Sequence, residues 1–175
     1  MRRFVFWIPL MLLSLLAGLW LYSLTQPKEE WVRSAMVGQQ LPEFSLPVAT
    51  DGVPALSSKN FTDGKPRLLN MFGSWCAPCK AEAPHLEALK EAGAEIHGIA
   101  LRDKPDDVAE FLRRYGNPFT RIGADMDMKV QLLLGSSGVP ETYVINGKGV
   151  IIHQHIGDIR AEHVPMLLQK MKEAG

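Results

Sequence analysis

Both cysteines of this chain, Cys76 and Cys79, lie two residues apart in the stretch GSWCAPCKAEAP. Small domains that rely on disulfides for stability carry many cysteines, and this chain of 175 residues has 2. A pair this close can be a structural clip, half of a zinc site or a dithiol that exchanges electrons. Which of the three it is determines what the chain can do.

The first two interpretations find little support in the surrounding residues. A closed zinc site takes four ligands, usually from two Cys or His pairs, and His153 and His155 lack the usual ligand spacing. As a clip, the pair would close a very small loop, which removes little entropy from the unfolded chain. Strain in such a loop also makes the bond easier to reduce.

The third interpretation accounts for the neighbouring residues. The cysteines follow the apolar run LLNMFGSW, where a strand is expected to pass into a helix. Cys76 would then lie at the helix N-terminus, where free N–H groups and the helix dipole favour a thiolate. Pro78 suits a first helical turn. We therefore expect Cys76 to be an accessible nucleophile and Cys79 to resolve the mixed disulfide that it forms.

Glu82 is a candidate proton acceptor for the resolving cysteine. It follows Cys79 by three residues, so both side chains project from the same side of the helix. If Glu82 is buried there, the pKa of its carboxyl group rises and it can take the proton of the Cys79 thiol. The alternative, an ordinary glutamate on the helix surface, stays open from sequence alone.

Strand and helix patterns alternate from residue 38 to the C-terminus. PRLLNMFG and EIHGIALR read as buried strands, ETYVIN and VIIHQHIG as a hairpin. Helices are expected near 77–92, 105–115, 127–134 and 160–173, and a loose hairpin precedes the first long strand. This order predicts an α/β domain over residues 38–175, with a mixed central sheet flanked by helices.

The N-terminal region has a different composition. Residues 4–24 contain no charged side chain and match the roughly 30 Å of a hydrocarbon core at about 1.5 Å per residue. We interpret 1–3 as a cytoplasmic end, 4–24 as an N-terminal transmembrane helix and 25–37 as a stalk. Partial cleavage of the segment is the alternative. Because Arg2 and Arg3 precede the span, the C-terminal domain is expected outside the cytoplasm, in the periplasm of a bacterium.

The formal net charge is +0 and no basic run is present. The sequence therefore gives no electrostatic reason to expect binding to nucleic acid.

Several motifs resemble those of a known family. WCAPC after an apolar strand is similar to the active site of the thioredoxin-like superfamily. SAMVGQQLPEFSLP, GKPRLLNMFGSWCAPCKAE, GNPF and GVPETYVIN together resemble the thiol:disulfide interchange proteins of cytochrome c maturation, the DsbE (CcmG) family. The resemblance implies a thioredoxin-like fold.

The same resemblance implies roles for further residues. Pro140 takes the place of the family's cis-proline, and the backbone of Val139 would pair with an extended substrate. Glu141 occupies the position of an acidic residue that family members keep after that proline, and Trp75 would offer a contact surface. Trp75, Val139, Pro140 and Glu141 are thus the predicted substrate-binding residues.

The family implies reduction of other proteins by the Cys76–Cys79 pair. The expected client is apocytochrome c, whose haem-binding CxxCH thiols must be free, or a maturation partner. Electrons would come from a membrane dithiol donor of the DsbD or CcdA kind, and we expect neither a cofactor nor a metal. Two alternatives stay open: a thiol reductase for another extracytoplasmic client, such as a copper-site assembly protein, and a non-catalytic metal chaperone.

Overall fold

The computed structural model describes residues 7–25 and 34–175. The chain forms two compact units, Met1–Trp31 and Val32–Gly175. The described part of the first unit is helix α1, Trp7–Thr25, which is apolar and carries no charged residue.

Among the residues described, no helix has both the length and the apolar character needed to cross a membrane. The predicted anchor at 4–24 includes residues 4–6, which lie outside the described part of the chain. The predicted cytoplasmic end at 1–3 and residues 26–33 of the predicted stalk lie outside it as well.

The second unit is an α/β domain. Its strands are β1 Ser45–Leu46, β2 Leu56–Ser57, β3 Arg67–Phe72, β4 Ile96–Leu101, β5 Phe119–Asp125, β6 Glu141–Ile145 and β7 Ile151–Ile156. Its α-helices are α2 Ala77–Glu91, α3 Pro105–Tyr115, α4 Lys129–Leu133 and α5 His163–Ala174, and a 3₁₀ turn spans Ser58–Phe61.

The central sheet has the strand order β5-β4-β3-β6-β7. Strands β3, β4 and β5 are parallel, whereas β6 is antiparallel to β3 and β7 is antiparallel to β6. The predicted α/β class with a mixed sheet is therefore confirmed. β6 begins opposite the end of β3, with Glu141 paired to Met71. The C-terminal ends of the parallel strands therefore lie at the same end of the sheet as the start of β6. This end of the sheet, called the sheet edge below, carries the loops after β3, β4 and β5 and the loop before β6.

Each face of the sheet is covered by its own core. Side chains alternate along a strand, so Leu68 and Phe72 of β3 pack on one face with α2, α3 and α5. Leu69 and Met71 point to the other face, where they pack with β1, β2 and α4. The two cysteines belong to the first of these cores, which places the predicted active site on the face covered by α2.

The sequence pattern missed strand β5, which lies between two of the predicted helices. Its residues, FTRIGAD, show no regular alternation of buried and exposed positions, and it is an edge strand of the sheet. This strand has few apolar residues and is stabilised by pairing with β4, and that pairing is not visible in the local sequence. The predicted helix over 127–134 is also shorter, at Lys129–Leu133, because Asp125 accepts hydrogen bonds from the Lys129 and Gln131 N–H groups and fixes where α4 begins.

Candidate active site

The two cysteines lie where β3 ends and α2 begins. Cys76 is the N-cap residue of α2, and its Sγ accepts a hydrogen bond from the Cys79 N–H at 3.1 Å. Pro78 follows in the first turn, where a missing N–H costs no helical hydrogen bond. The two sulfurs form a disulfide, Cys76–Cys79. On reduction, the same N–H group and the positive end of the helix would face a thiolate at Cys76.

Both cysteines are less accessible than the sequence led us to expect. In the disulfide form Cys76 is 4% exposed and Cys79 is 1% exposed, so the expectation of an openly accessible Cys76 is wrong for this form. The reason is packing, because the pair belongs to the apolar core under α2. Of the small area that remains exposed, more lies on Cys76 than on Cys79, which favours Cys76 as the residue that an incoming thiolate reaches.

The loop that leads into Cys76 is held by the loop that follows β4. Asp103 is buried and accepts hydrogen bonds from the Ser74 N–H at 2.5 Å and the Ser74 hydroxyl at 2.7 Å. The Trp75 indole N–H donates to the Leu101 carbonyl at 3.1 Å. Sequence reasoning missed Asp103. Its position directly after a buried strand was the available signal, because the carboxyl ends of parallel strands share one edge of a sheet.

Trp75 lies beside the cysteines with 58% of its surface exposed. Its ring covers Gly73 so closely that a Cβ added at Gly73 would come within 2.7 Å of the indole. A glycine is therefore required where the chain leaves β3. The exposed ring is an apolar surface directly before Cys76 in the chain, and its predicted contact role stays a prediction.

Glu82 is fully buried one turn along α2 from Cys79. Its Oε1 accepts a hydrogen bond from the Asn70 amide at 2.9 Å, and its Oε2 accepts one from the Ile159 N–H at 3.0 Å. Burial raises the pKa of this carboxyl to about 7, and the negative charge of Asp158 adds to the rise. A carboxyl with this pKa can both accept and release a proton near neutral pH.

Asn70 and Thr142 complete the buried polar group behind the disulfide, and sequence reasoning missed both. Asn70 is on β3, and its amide donates to Glu82 and also to the Thr142 hydroxyl, the latter at 3.0 Å. Thr142 is on β6, directly opposite Asn70 in the sheet register. An asparagine inside the apolar run RLLNMF was the signal that could have identified this site, since buried polar side chains need partners.

The bond between Val139 and Pro140 is cis and precedes β6. Val139 is partly buried and packs against the cores on both faces. The Pro140 carbonyl accepts a hydrogen bond from the Gly157 N–H at 3.0 Å. Within residues 34–175, the backbone N–H and C=O of Val139 enter none of the hydrogen bonds that connect the loops, and so they are available to an extended partner.

Glu141 does not lie with the cysteines. Along β6 it shares a face with Tyr143, opposite the face of Thr142 and Glu82. It is fully buried and accepts hydrogen bonds from the Ser136 hydroxyl at 2.7 Å, the Tyr143 hydroxyl at 2.5 Å and the Gln154 amide. These partners enclose the carboxylate, and its predicted substrate-binding role stays a prediction. Its contacts hold the loop that leads to Pro140.

No group of three or more His, Cys, Asp or Glu side chains that could hold a metal ion occurs among the described residues. The sulfurs of Cys76 and Cys79 are bonded to each other. The chemistry that this arrangement supports is exchange of the disulfide with an external thiol, with a buried carboxyl group of near-neutral pKa one helical turn away.

Known proteins resemble the chain over most of this domain. The family model described as AhpC/TSA matches residues 37–154. A crystal structure from Chlorobium tepidum, described as a thiol:disulfide interchange protein DsbE, superposes with a TM-score of 0.63 at 26% identity and covers 79% of this chain and 96% of that one. The fold is therefore thioredoxin-like.

Two relatives match most of the chain in sequence. The thiol:disulfide interchange protein HelX of Rhodobacter capsulatus is 35% identical over 159 residues, which are 91% of this chain and 90% of HelX. The thiol:disulfide interchange protein DsbE of Tatumella citrea is 36% identical over an alignment of 166 positions that covers 93% of this chain and 90% of that relative.

Proposed function

The chain belongs to the DsbE and HelX family of thiol:disulfide interchange proteins and is a thiol:disulfide oxidoreductase, and we propose that it serves as a reductant in cytochrome c maturation. The observation that carries the proposed thiol exchange is the buried Glu82 carboxyl group, one helical turn from Cys79. A group that takes a proton from a buried thiol lets that thiol become the attacking thiolate.

The proposed reaction begins with the reduced pair. The Cys76 thiolate attacks one sulfur of the client disulfide, the S–S bond of the client breaks, and its other sulfur leaves as a thiolate. The Cys79 thiol then gives its proton to the Glu82 carboxylate, and the Cys79 thiolate attacks the Cys76 sulfur. The Cys76–Cys79 bond forms as the client's second thiolate leaves, so two electrons pass from the pair to the client.

We propose that Trp75, Val139 and Pro140 bind the client. The exposed indole of Trp75 supports this proposal, because it offers apolar contact area beside the reacting sulfur. The free backbone groups of Val139 support it as well, since an extended segment can hydrogen-bond to them as an added strand does. Limited access to Cys76 would then require the client to be positioned closely before exchange.

The proposed client is apocytochrome c, or a maturation partner that carries its thiols. Attachment of haem at a CxxCH motif needs both thiols reduced. We propose that the domain works in the bacterial periplasm, an oxidising compartment, held at the inner membrane by the apolar segment at 4–24. The two arginines before that segment support this orientation. A membrane dithiol protein of the DsbD or CcdA kind would reduce Cys76–Cys79 again.

Trapping the mixed disulfide tests this proposal. In a Cys79→Ser chain the second step cannot occur, so Cys76 should remain bonded to its client. We expect the full-length variant, expressed in cells that make c-type cytochromes, to yield a complex with apocytochrome c or a maturation protein that thiol reagents release. The matched control is Cys76→Ser, which should yield none. If the Cys79→Ser chain captures only proteins unrelated to c-type cytochromes, the assignment to cytochrome maturation is wrong.

A further inference from the structure

Asn70 occupies an unusual place at the centre of β3. It is fully buried, and its strand neighbours Leu69 and Met71 are apolar. Its amide nitrogen donates to Glu82 Oε1 at 2.9 Å and to Thr142 Oγ1 at 3.0 Å. Its Oδ1 is buried and has no hydrogen-bond partner among the described residues.

A role in stability alone does not account for this residue. A buried acceptor without a partner destabilises a fold, and an apolar side chain would avoid that loss. The unpaired oxygen belongs to the same carboxamide that bonds Glu82. Asn70 is therefore better explained by what it does for that carboxyl group.

The two oxygens of Glu82 have partners of different kinds. Oε2 accepts from the Ile159 backbone N–H, which can only donate. Oε1 faces Asn70, and a carboxamide has a donating end and an accepting end that exchange places on rotation by half a turn. The Thr142 hydroxyl on the far side of Asn70 can also donate or accept. Oε1 is thus the Glu82 oxygen that can keep a hydrogen bond to Asn70 whether the carboxyl group is ionised or protonated.

We propose that Asn70 is a positioning residue for Glu82, donating to its carboxylate and, after rotating by half a turn, accepting a hydrogen bond from its carboxylic acid. The proposal deepens the proposed function, since it rests on Glu82 as the proton acceptor of Cys79. The proton leaves the Cys79 sulfur, whose electron pair stays behind, and binds to Glu82. Asn70 then provides a partner for Glu82 before and after the transfer, in a place where burial excludes bulk water.

Few other groups act on Glu82. Asp158, which comes before α5, is the charged residue whose field reaches it, and the Ile159 N–H faces it from the same segment. Cys79 precedes it on α2 and is held in the disulfide. A cysteine in a disulfide does not titrate, so in this form no cysteine titration overlaps with that of Glu82. A shift of the Glu82 midpoint on mutation of Asn70 can then be measured directly.

The test is a ¹³C NMR titration of the Glu82 carboxyl group in the full chain with the disulfide formed. The Glu82 signal is assigned by its loss in Glu82→Gln. Asn70→Leu removes the donor for the carboxylate and the acceptor for the carboxylic acid. Because a hydrogen bond to a charged group is about twice as strong as one between neutral groups, we expect the midpoint to rise by about one pH unit. Asn70→Asp keeps the size but adds a second carboxyl group, and we expect two coupled steps with the upper midpoint above that of the wild type.

Met71→Leu is the matched control, because Met71 is equally buried but lies on the opposite face of β3. It should leave the Glu82 midpoint unchanged. An unshifted single step in Asn70→Asp, with cooperative unfolding retained, would overturn the proposal even if Asn70→Leu fails to fold. Trapping of clients by Cys79→Ser is measured separately. Its failure alongside a shifted midpoint would reject the proposed function and leave the role of Asn70 standing.

Discussion

Burial of Glu82 brings the titration of its carboxyl group into the neutral pH range. The pKa of its carboxyl is raised from 4.5 to about 7, chiefly because burial disfavours the charged form. The folded protein therefore holds a proton on Glu82 between about pH 4.5 and pH 7, whereas the unfolded chain has released it. The contribution of Glu82 to the free energy of unfolding is therefore most favourable below about pH 4.5. That contribution is lost as the pH rises through about 7.

This predicts a pH-dependent effect of Glu82→Gln. Glutamine keeps the shape of the protonated side chain but cannot ionise, so the variant should gain free energy of unfolding relative to the wild type as the pH rises. We expect a relative gain of about 3 kcal/mol between pH 4.5 and pH 8, measured by urea unfolding of both chains at each pH. A constant difference at all pH values would mean that the buried carboxyl titrates normally. The variant should also exchange disulfides more slowly.

At the level of single residues, the sequence was enough to predict the placement of side chains that lie close together in the chain. Cys76, Cys79, Pro78 and Glu82 are within one or two turns of a helix, and their placement follows from helix geometry. Asn70 was not predicted because its partners Glu82 and Thr142 are 12 and 72 residues away in the chain. Such contacts exist only after the sheet has formed.

At the level of elements, the active-site loop depends on its neighbour. The segment after β4 holds the segment after β3 through the hydrogen bonds of Asp103 to Ser74 and through the bond from Trp75 to the Leu101 carbonyl. These contacts connect the N-terminus of α2 to the parallel strands. Cys76 is therefore positioned by two elements of the sheet as well as by its own helix.

Asp103→Asn tests this connection. The amide oxygen can accept from one Ser74 group only, and the amide nitrogen can only donate. The Ser74 hydroxyl must therefore reverse its hydrogen bond, and both bonds lose their charged acceptor. We expect the free energy of unfolding to fall by about 1–3 kcal/mol and disulfide exchange to slow, measured by urea unfolding and by reduction with dithiothreitol. Asp106→Asn, at an exposed position in α3, is the control and should change neither by a comparable amount. Equal effects of the two substitutions would contradict a positioning role for Asp103.

Helices and strands with a clear periodicity of apolar residues could be predicted from the sequence. A strand that forms mainly by pairing with a distant strand could not. The predicted strands at β3 and β4 and the helices α2 and α3 are confirmed within a few residues. Strand β5 was missed because it contains Thr120, Arg121 and Gly123 among few apolar residues and forms by pairing with β4. The alternation along β6 likewise places Glu141 on the face opposite Glu82, a consequence of register that the motif itself does not reveal.

At the level of the whole molecule, the sheet edge brings together groups from distant parts of the chain. The Cys76–Cys79 disulfide, the Trp75 indole and the cis Val139–Pro140 bond come from loops at the same edge. The proton-accepting candidate Glu82 lies on the face covered by α2, and the loop before β6 is held from the opposite face by Glu141. One face thus carries the proposed chemistry, and the other holds the loop on which a client would dock.

The most direct test of the account is electron transfer from the reduced full chain to a peptide that carries an oxidised CxxCH motif. After mixing, free thiols are alkylated and both molecules are weighed by mass spectrometry. We predict that each peptide reduced is matched by one Cys76–Cys79 disulfide formed, and that the Cys76→Ser chain reduces none. A peptide that stays oxidised while Cys76 and Cys79 remain reduced would contradict the central claim.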